Sequence, residues 1–136
     1  MNVKSININT VNGGEKGSLS FFEAGKDIDF KIQRVYYTYS AKLNTKRGGH
    51  AHKKLKQLLF CVYGKIKVIL DDGNERIEKI LDNESKGLIV NQGIWRDIIW
   101  LEENSVLCVA ASELYDESDY IRNYDDYIKF VNRRLE

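Results

Sequence analysis

The chain has 136 residues, 43% of them apolar, which suits one domain with a real core. Lysine and arginine total 21 against 20 aspartates and glutamates, a formal charge of +1, so there is no broad basic field and no nucleic-acid partner is expected. No stretch approaches a transmembrane helix in length and the N-terminus lacks the apolar core of a signal peptide, so the expectation is a cytoplasmic protein without a membrane partner.

Short β-branched and aromatic runs separated by turn residues recur up to Ala111, the pattern of an all-β domain. Strands are expected at Val3 to Ile8 and Ser18 to Glu23. The Gly13-Gly14-Glu15-Lys16-Gly17 segment before the second lacks the fixed pattern of a phosphate loop and reads as a turn. Phe30 to Tyr39 is the longest run. Alternation puts Arg34 and Tyr36 on one face and Val35 and Tyr37 on the other, and leaves open which face is inward. Further strands are expected at Leu55 to Tyr63, Lys65 to Leu70, Arg76 to Leu81, Gly87 to Val90, Ile94 to Trp100 and Ser105 to Ala111. Asp71-Asp72-Gly73-Asn74 supplies the positive φ of a tight hairpin turn. Cys61 and Cys108 sit far apart in apolar runs, which suits buried free thiols and neither a zinc knuckle nor a disulfide scaffold. After Asp116 the period changes. Tyr120, Tyr124, Tyr127, Ile128, Val131 and Leu135 fall on one helical stripe, with acids at its start and Arg133 and Arg134 at its end. A helix over about 117–135 is expected to pack this stripe on the outside of the β domain, its tyrosines serving as core or dimer contact or, alternatively, stacking on bases.

The two histidines of the chain, His50 and His52, stand two apart, so in a strand both imidazoles face one side, with Arg47 entering from the loop before them. Gly48 and Gly49 let the backbone approach a ligand or kink there, unless they form a plain turn. His50-x-His52, four residues, Gln57, six residues and Gly64 resembles the first cupin motif, in which a metal-binding member has Glu at the Gln57 position. The second motif, which begins at Gly87, carries Arg96 near where the fourth ligand, a histidine, belongs. An amide and a guanidinium in place of a carboxylate and an imidazole leave two ligands of four and add a cation, so no tight metal site is expected. A histidine pair freed from metal duty, among arginines, suits proton transfer beside an anionic substrate; the alternative is an ordinary structural pair. Lys42, Lys46, Lys53, Lys54 and Lys56 flank the pair, either drawing in a phosphorylated ligand or simply solvated. Arg96 is read either as a site residue or as a surface strand residue in a salt bridge, and Trp95 as pocket lining or as core.

Arg34-Val35-Tyr36-Tyr37, Arg47-Gly48-Gly49-His50-Ala51-His52-Lys53-Lys54, Leu70-Asp71-Asp72-Gly73, Gly87-Leu88, Ile94-Trp95, Ala111-Ser112-Glu113-Leu114-Tyr115-Asp116-Glu117 and Asp119-Tyr120-Ile121-Arg122-Asn123-Tyr124 together resemble the sugar 3,4-ketoisomerases of the cupin superfamily, the WxcM-like enzymes acting on dTDP-4-keto-6-deoxy-D-glucose. The resemblance runs from about Arg34 to Tyr124. It implies an all-β, jelly-roll-like cupin barrel with a C-terminal α-helix, one domain over the whole chain. It also implies a cofactor-free and metal-independent isomerase that moves the ketone from C4 to C3 through an enediolate, making a precursor of 3-amino-3,6-dideoxy sugars for surface glycans. By the same resemblance His52 takes the leading catalytic role, His50 assists or orients it, and Tyr37, named ahead of Tyr36, shuttles protons with the sugar oxygens. Arg47, and with it Arg34 or Arg96, holds the pyrophosphate or polarises the ketone, while Tyr36, Gln57 and Trp95 complete the substrate pocket. The implied partners are the dTDP-sugar and a second copy of the chain, in a homodimer with exchanged N-terminal strands. Rival readings are an epimerase-like cupin on the same nucleotide sugar, a cupin that only binds one, and a metal-dependent cupin, which would need more ligands than these residues supply.

Overall fold

A computed structural model describes residues 1–135. Along the chain run β1 (Val3–Asn7), β2 (Asn9–Asn12), β3 (Ser18–Phe21), β4 (Arg34–Thr38), β5 (Lys46–His52), β6 (Gln57–Tyr63), β7 (Ile66–Asp71), β8 (Arg76–Leu81), β9 (Lys86–Val90), β10 (Trp95–Trp100), β11 (Val106–Ala111), β12 (Tyr120–Ile121) and α1 (Tyr124–Leu135). One antiparallel sheet is ordered β1-β9-β6-β11-β4 and a second β12-β5-β10-β7-β8, while β2 and β3 pair in a separate ribbon. β1 pairs with β9 of its own chain from Val3 opposite Val90 to Asn7 opposite Lys86.

The two sheets close on each other because alternate residues of both are apolar. Leu59, Cys61, Leu88, Val90, Leu107 and Val109 of the first meet Ile66, Val68, Leu70, Leu81, Ile98 and Trp100 of the second in one buried cluster. Trp100 is fully buried, and its indole N–H donates to the Ser105 carbonyl at 2.9 Å, so its burial leaves no polar atom stranded. The outer face of the first sheet is covered by Ile28 and Phe30 against Leu58, Ile89 and Ala110. The outer face of the second is covered by α1, whose Tyr127, Ile128 and Val131 pack with Ala51, Trp95 and Ile121. Tyr127 locks this helix down, its hydroxyl reaching the carbonyls of Gly93 at 2.7 Å and Asp71 at 3.0 Å. The expected β7–β8 hairpin is present, with Gly73 at φ 90°.

Two expectations change and one strand is added. The Phe30 to Tyr39 run is a strand only over Arg34–Thr38, because Phe30 and Ile32 leave the sheet to pack on its outer face. The helix starts at Tyr124, not near 117: Asp116 caps a 3₁₀ turn at Glu117–Asp119, Tyr120–Ile121 pair with β5, and the Asn123 side chain accepts the Asp126 N–H before the helix begins. Short polar side chains that capture nearby backbone N–H groups compete with helix, which is why the period misleads here. Tyr120 therefore leaves the helical stripe, and the Leu135 side chain lies outside the described residues. Finally β2, polar and without alternating apolar residues, gave no strand signal.

Candidate active site

Inward positions change character along several strands. β4 presents Arg34, Tyr36 and Thr38; β6 runs from Gln57 to Leu59; and β10 runs from Arg96 to Ile98 and Trp100. The barrel therefore has an apolar floor and a polar mouth. The cavity between them, of about 420 Å³, is walled by these residues with Arg47, Gly48, His50, Tyr115, Tyr120 and Arg122.

β5 reaches the mouth through a bulge. Arg96 pairs with His50 but Asp97 with Gly48, which leaves Gly49 as the extra residue. Gly48 and Gly49 take φ of 87° and 69°, and a Cβ on Gly48 would stand 2.9 Å from the Arg96 carbonyl oxygen. Of the alternatives left by the sequence, this is the kink, and what the backbone approaches is β10.

Beyond the bulge the two histidines share a strand face but not an environment. His50 lines the cavity, whereas His52, fully buried, lies behind it. The rings stand edge to face at 4.9 Å, and Tyr120 packs on both, at 5.0 Å from His50 and 4.3 Å from His52. The Asp119 carboxylate accepts the backbone N–H of Lys54 at 2.8 Å and of Leu55 at 3.3 Å, and stands 3.2 Å from His52 Nδ1. A carboxylate only accepts, so Nδ1 carries the proton and Nε2 keeps its lone pair. Burial, and after it the Arg96 charge, holds His50 down at about 4; burial, Arg96 and His50 hold His52 lower still. Both imidazoles are neutral at pH 7.

Arg96 is the cation at the centre, 1% exposed. It donates to the Gln57 side-chain oxygen and, at 2.7 Å, to the Ile94 carbonyl. Burial lowers it to about 10, so it stays charged at neutral pH without a carboxylate partner. Gln57 in turn donates from Nε2 to the Tyr36 hydroxyl at 3.0 Å. Two of the four metal-ligand positions of a cupin are thus engaged with each other as amide and guanidinium, and this donor set does not fit a divalent cation.

Around this centre the cavity is cationic. Arg34, Arg47, Arg96 and Arg122 line it, and no carboxylate does among the described residues. Arg34 stands 5.1 Å from the Tyr36 ring and 5.7 Å from that of Tyr115, with Nε and one terminal nitrogen buried and unpartnered. Arg122 lies 4.2 Å over Tyr120 and forks onto Glu117 at 2.6 and 2.9 Å. Unpaired guanidinium donors facing a cavity call for an oxyanion such as phosphate.

Two expected site residues are elsewhere. Tyr37 points away from the cavity, 62% exposed and beside Tyr39 at 5.7 Å, because Arg34 and Tyr36 take the inward face of β4. Trp95 is turned outward by the same alternation that turns Arg96 in; it packs under α1 against Tyr124 and Tyr127 at 5.2 and 5.6 Å. Arg47 belongs to β5 and not to a preceding loop, and none of the flanking lysines lines the cavity. The helical period that runs over this segment hides Asp119 and Tyr120 as site residues. Their signal was Asp116 and Ser118, which suit a capped turn.

Residues 1–132 match the FdtA family, described as WxcM-like, C-terminal. The chain is 46% identical over 116 residues, 85% of its length and 84% of the relative's, to the TDP-4-oxo-6-deoxy-alpha-D-glucose-3,4-oxoisomerase of Aneurinibacillus thermoaerophilus. The crystal structure of QdtA, a sugar 3,4-ketoisomerase from Thermoanaerobacterium thermosaccharolyticum in complex with TDP, superposes with a TM-score of 0.94 at 40% identity, over 99% of this chain and 98% of that one. A histidine variant of the same QdtA, in complex with TDP-4-keto-6-deoxyglucose, superposes with a TM-score of 0.93 at 40% identity, over 98% and 96% of the two chains. A polar-mouthed β-barrel with this histidine pair, matched along nearly its whole length, makes the chain a member of the FdtA family of WxcM-like proteins.

Proposed function

We propose that this chain is a sugar-nucleotide 3,4-ketoisomerase that converts dTDP-4-keto-6-deoxy-D-glucose into a dTDP-3-keto-6-deoxyhexose. The reaction needs a neutral base beside C3, a donor for the enediolate oxygen, and a cation to acidify the C–H bond. His50 is the base: it is neutral and faces the cavity, whereas His52 is buried with Nδ1 committed to Asp119. His50 takes the C3 proton and the electron pair moves onto the C4 oxygen as the enediolate; a proton returned to C4, with the O3 hydroxyl proton passed to O4, leaves the ketone at C3 and a hydroxyl at C4. Tyr36 and Arg96, both at the cavity wall, meet the developing oxyanion. Arg34, Arg47 and Arg122 hold the diphosphate, and that added negative charge offsets the Arg96 part of what keeps His50 a weak base in the free protein, burial being the larger part. The observation that carries this reading is the neutral His50 beside a buried, carboxylate-free Arg96 in a chain 46% identical to an oxoisomerase.

The test is incubation with dTDP-4-keto-6-deoxy-D-glucose in deuterated water, followed by NMR. The expected product is the 3-keto sugar, and His50→Asn should lower turnover at least ~100-fold. Deuterium at C3 or C5 with the ketone still at C4 would mean epimerisation, and unchanged sugar would mean binding alone.

The active form is a homodimer. Val11, Leu19 and Phe21 of the β2–β3 ribbon are 57, 60 and 39% exposed, and Val35 and Tyr37 on the outer face of edge strand β4, with Tyr39 just beyond its end, are more than half exposed. Two unpartnered apolar faces on one chain suit an exchange in which each ribbon covers the partner copy. Light scattering with Leu19→Asp reads this directly: the variant should be monomeric. Two free thiols, Cys61 and Cys108, and a nucleotide-sugar substrate fit a reducing cytoplasm.

A further inference from the structure

Arg96 carries donors only, so the Gln57 amide facing it must present its oxygen, and the other end of that amide, Nε2, is left to donate to the Tyr36 hydroxyl at 3.0 Å. A phenol that accepts on one side keeps its own hydrogen for another partner. Tyr36 lines the cavity, and no side chain or carbonyl accepts from it among the described residues. We propose that Gln57 is a positioning residue: held by Arg96, it fixes the direction of the Tyr36 hydrogen bond so that the phenol can only donate into the cavity, onto the sugar oxygen that gains charge. This rests on the ketoisomerase reading and adds to it the reason an amide stands where metal-binding cupins carry Glu. A carboxylate there would accept from Arg96 and Tyr36 alike, drawing the phenol hydrogen inward and spending the arginine charge on a fixed anion.

Two substitutions separate direction from packing. Gln57→Glu keeps size and inverts the bond to Tyr36; kcat should fall ~100-fold or more, with KM within about threefold, because a donor aimed at the transition-state oxygen is lost. Gln57→Met keeps volume and removes both bonds, so Tyr36 turns freely and kcat should fall only about tenfold. The Gln57→Met loss should shrink to within about twofold when made on top of Tyr36→Phe, since the amide acts through that hydroxyl, whereas the Gln57→Glu loss should shrink but keep the part that comes from neutralising Arg96. Should Gln57→Glu fail to fold, Gln57→Met with its Tyr36→Phe double variant carries the same test. The proposal is overturned if the Gln57 variants turn over like wild type, if KM rises while kcat holds, or if the loss is undiminished in the Tyr36→Phe background. Any of these would leave ketoisomerisation standing, because conversion of the 4-keto sugar and the effect of His50→Asn are read separately.

Discussion

Replacing His52 by asparagine and following urea unfolding at two pH values asks whether the buried imidazole and Asp119 form a neutral hydrogen bond or an ion pair. Both histidines are held below their ordinary 6.5 in the fold, His50 at about 4 and His52 lower, chiefly by burial and then by Arg96. A depressed histidine means that the unfolded chain binds a proton the folded chain refuses, so stability is present above the unfolded value and lost as pH falls through it. Between about pH 7.5 and about pH 5 an unfolded histidine becomes almost fully charged while a group held below 5 stays neutral, which costs about 2 kcal/mol per histidine. The pair together should cost about 4 kcal/mol, or roughly 2 M in the urea midpoint at a slope near 2 kcal/mol per M. At fixed protein concentration, His50→Asn and His52→Asn should each remove about half of this pH dependence. If His52→Asn keeps the whole of it, or makes it steeper, His52 is protonated in the fold. The Asp119 contact would then outweigh burial and the Arg96 charge, and the division of labour between the two histidines would have to be redrawn.

The acid limb of kcat/KM should lie near 4, the value of His50 in the free protein, with activity lost as pH drops below it; the limb of kcat should lie higher, because the bound diphosphate offsets Arg96. A kcat/KM limb above the ordinary 6.5 would exclude a depressed His50 as the base. Tyr37→Phe should leave turnover within about twofold, whereas Tyr36→Phe should lower it ~100-fold, as loss of one oxyanion donor does; the reverse order would give the chemistry to the outward phenol. Trp95→Ala should destabilise the fold by about 3–5 kcal/mol in thermal or urea unfolding and leave kcat per folded molecule near wild type. A selective loss of kcat would return Trp95 to the substrate.

The barrel and the position of its chemistry were legible in the sequence because they follow from local rules. Strand alternation requires that Tyr36 and Tyr37, or Trp95 and Arg96, oppose each other, and motif spacing brought His50, Gln57 and Arg96 to one place. What alternation does not carry is the sign. Which of two faces is inward depends on the opposing sheet, so the sequence puts Tyr37 ahead where Tyr36 faces the cavity, and leaves Trp95 between pocket and core where the structure packs it under α1. The same limit applies to His50 and His52, which share a strand face but not an environment: one borders open space and the other is closed in by Tyr120 and Asp119. These partners lie 67 and more residues on, in a segment whose tyrosines imitate helical spacing.

The bulge at Gly48 and Gly49 has a meaning for heredity as well as for shape. Beyond it the strand is read in even phase, with His50 opposite the inward Arg96; before it, in odd phase, with Arg47 opposite the inward Ile98 and Lys46 turned out beside Asp97. With His50 three positions after Arg47, the bulge is thus what keeps guanidinium and imidazole on the same side of a single strand. A single-base change of either glycine codon to valine would put a β-branched residue where φ is positive; a strand pressed flat by it would shift phase, withdraw Arg47 and turn Lys46 inward, replacing a flat forked donor by a point charge without altering either of those side chains. In this strand the charge chemistry of the mouth is written in the backbone's conformation as much as in its side chains, and a change at a glycine that touches no ligand edits which neighbours face the site.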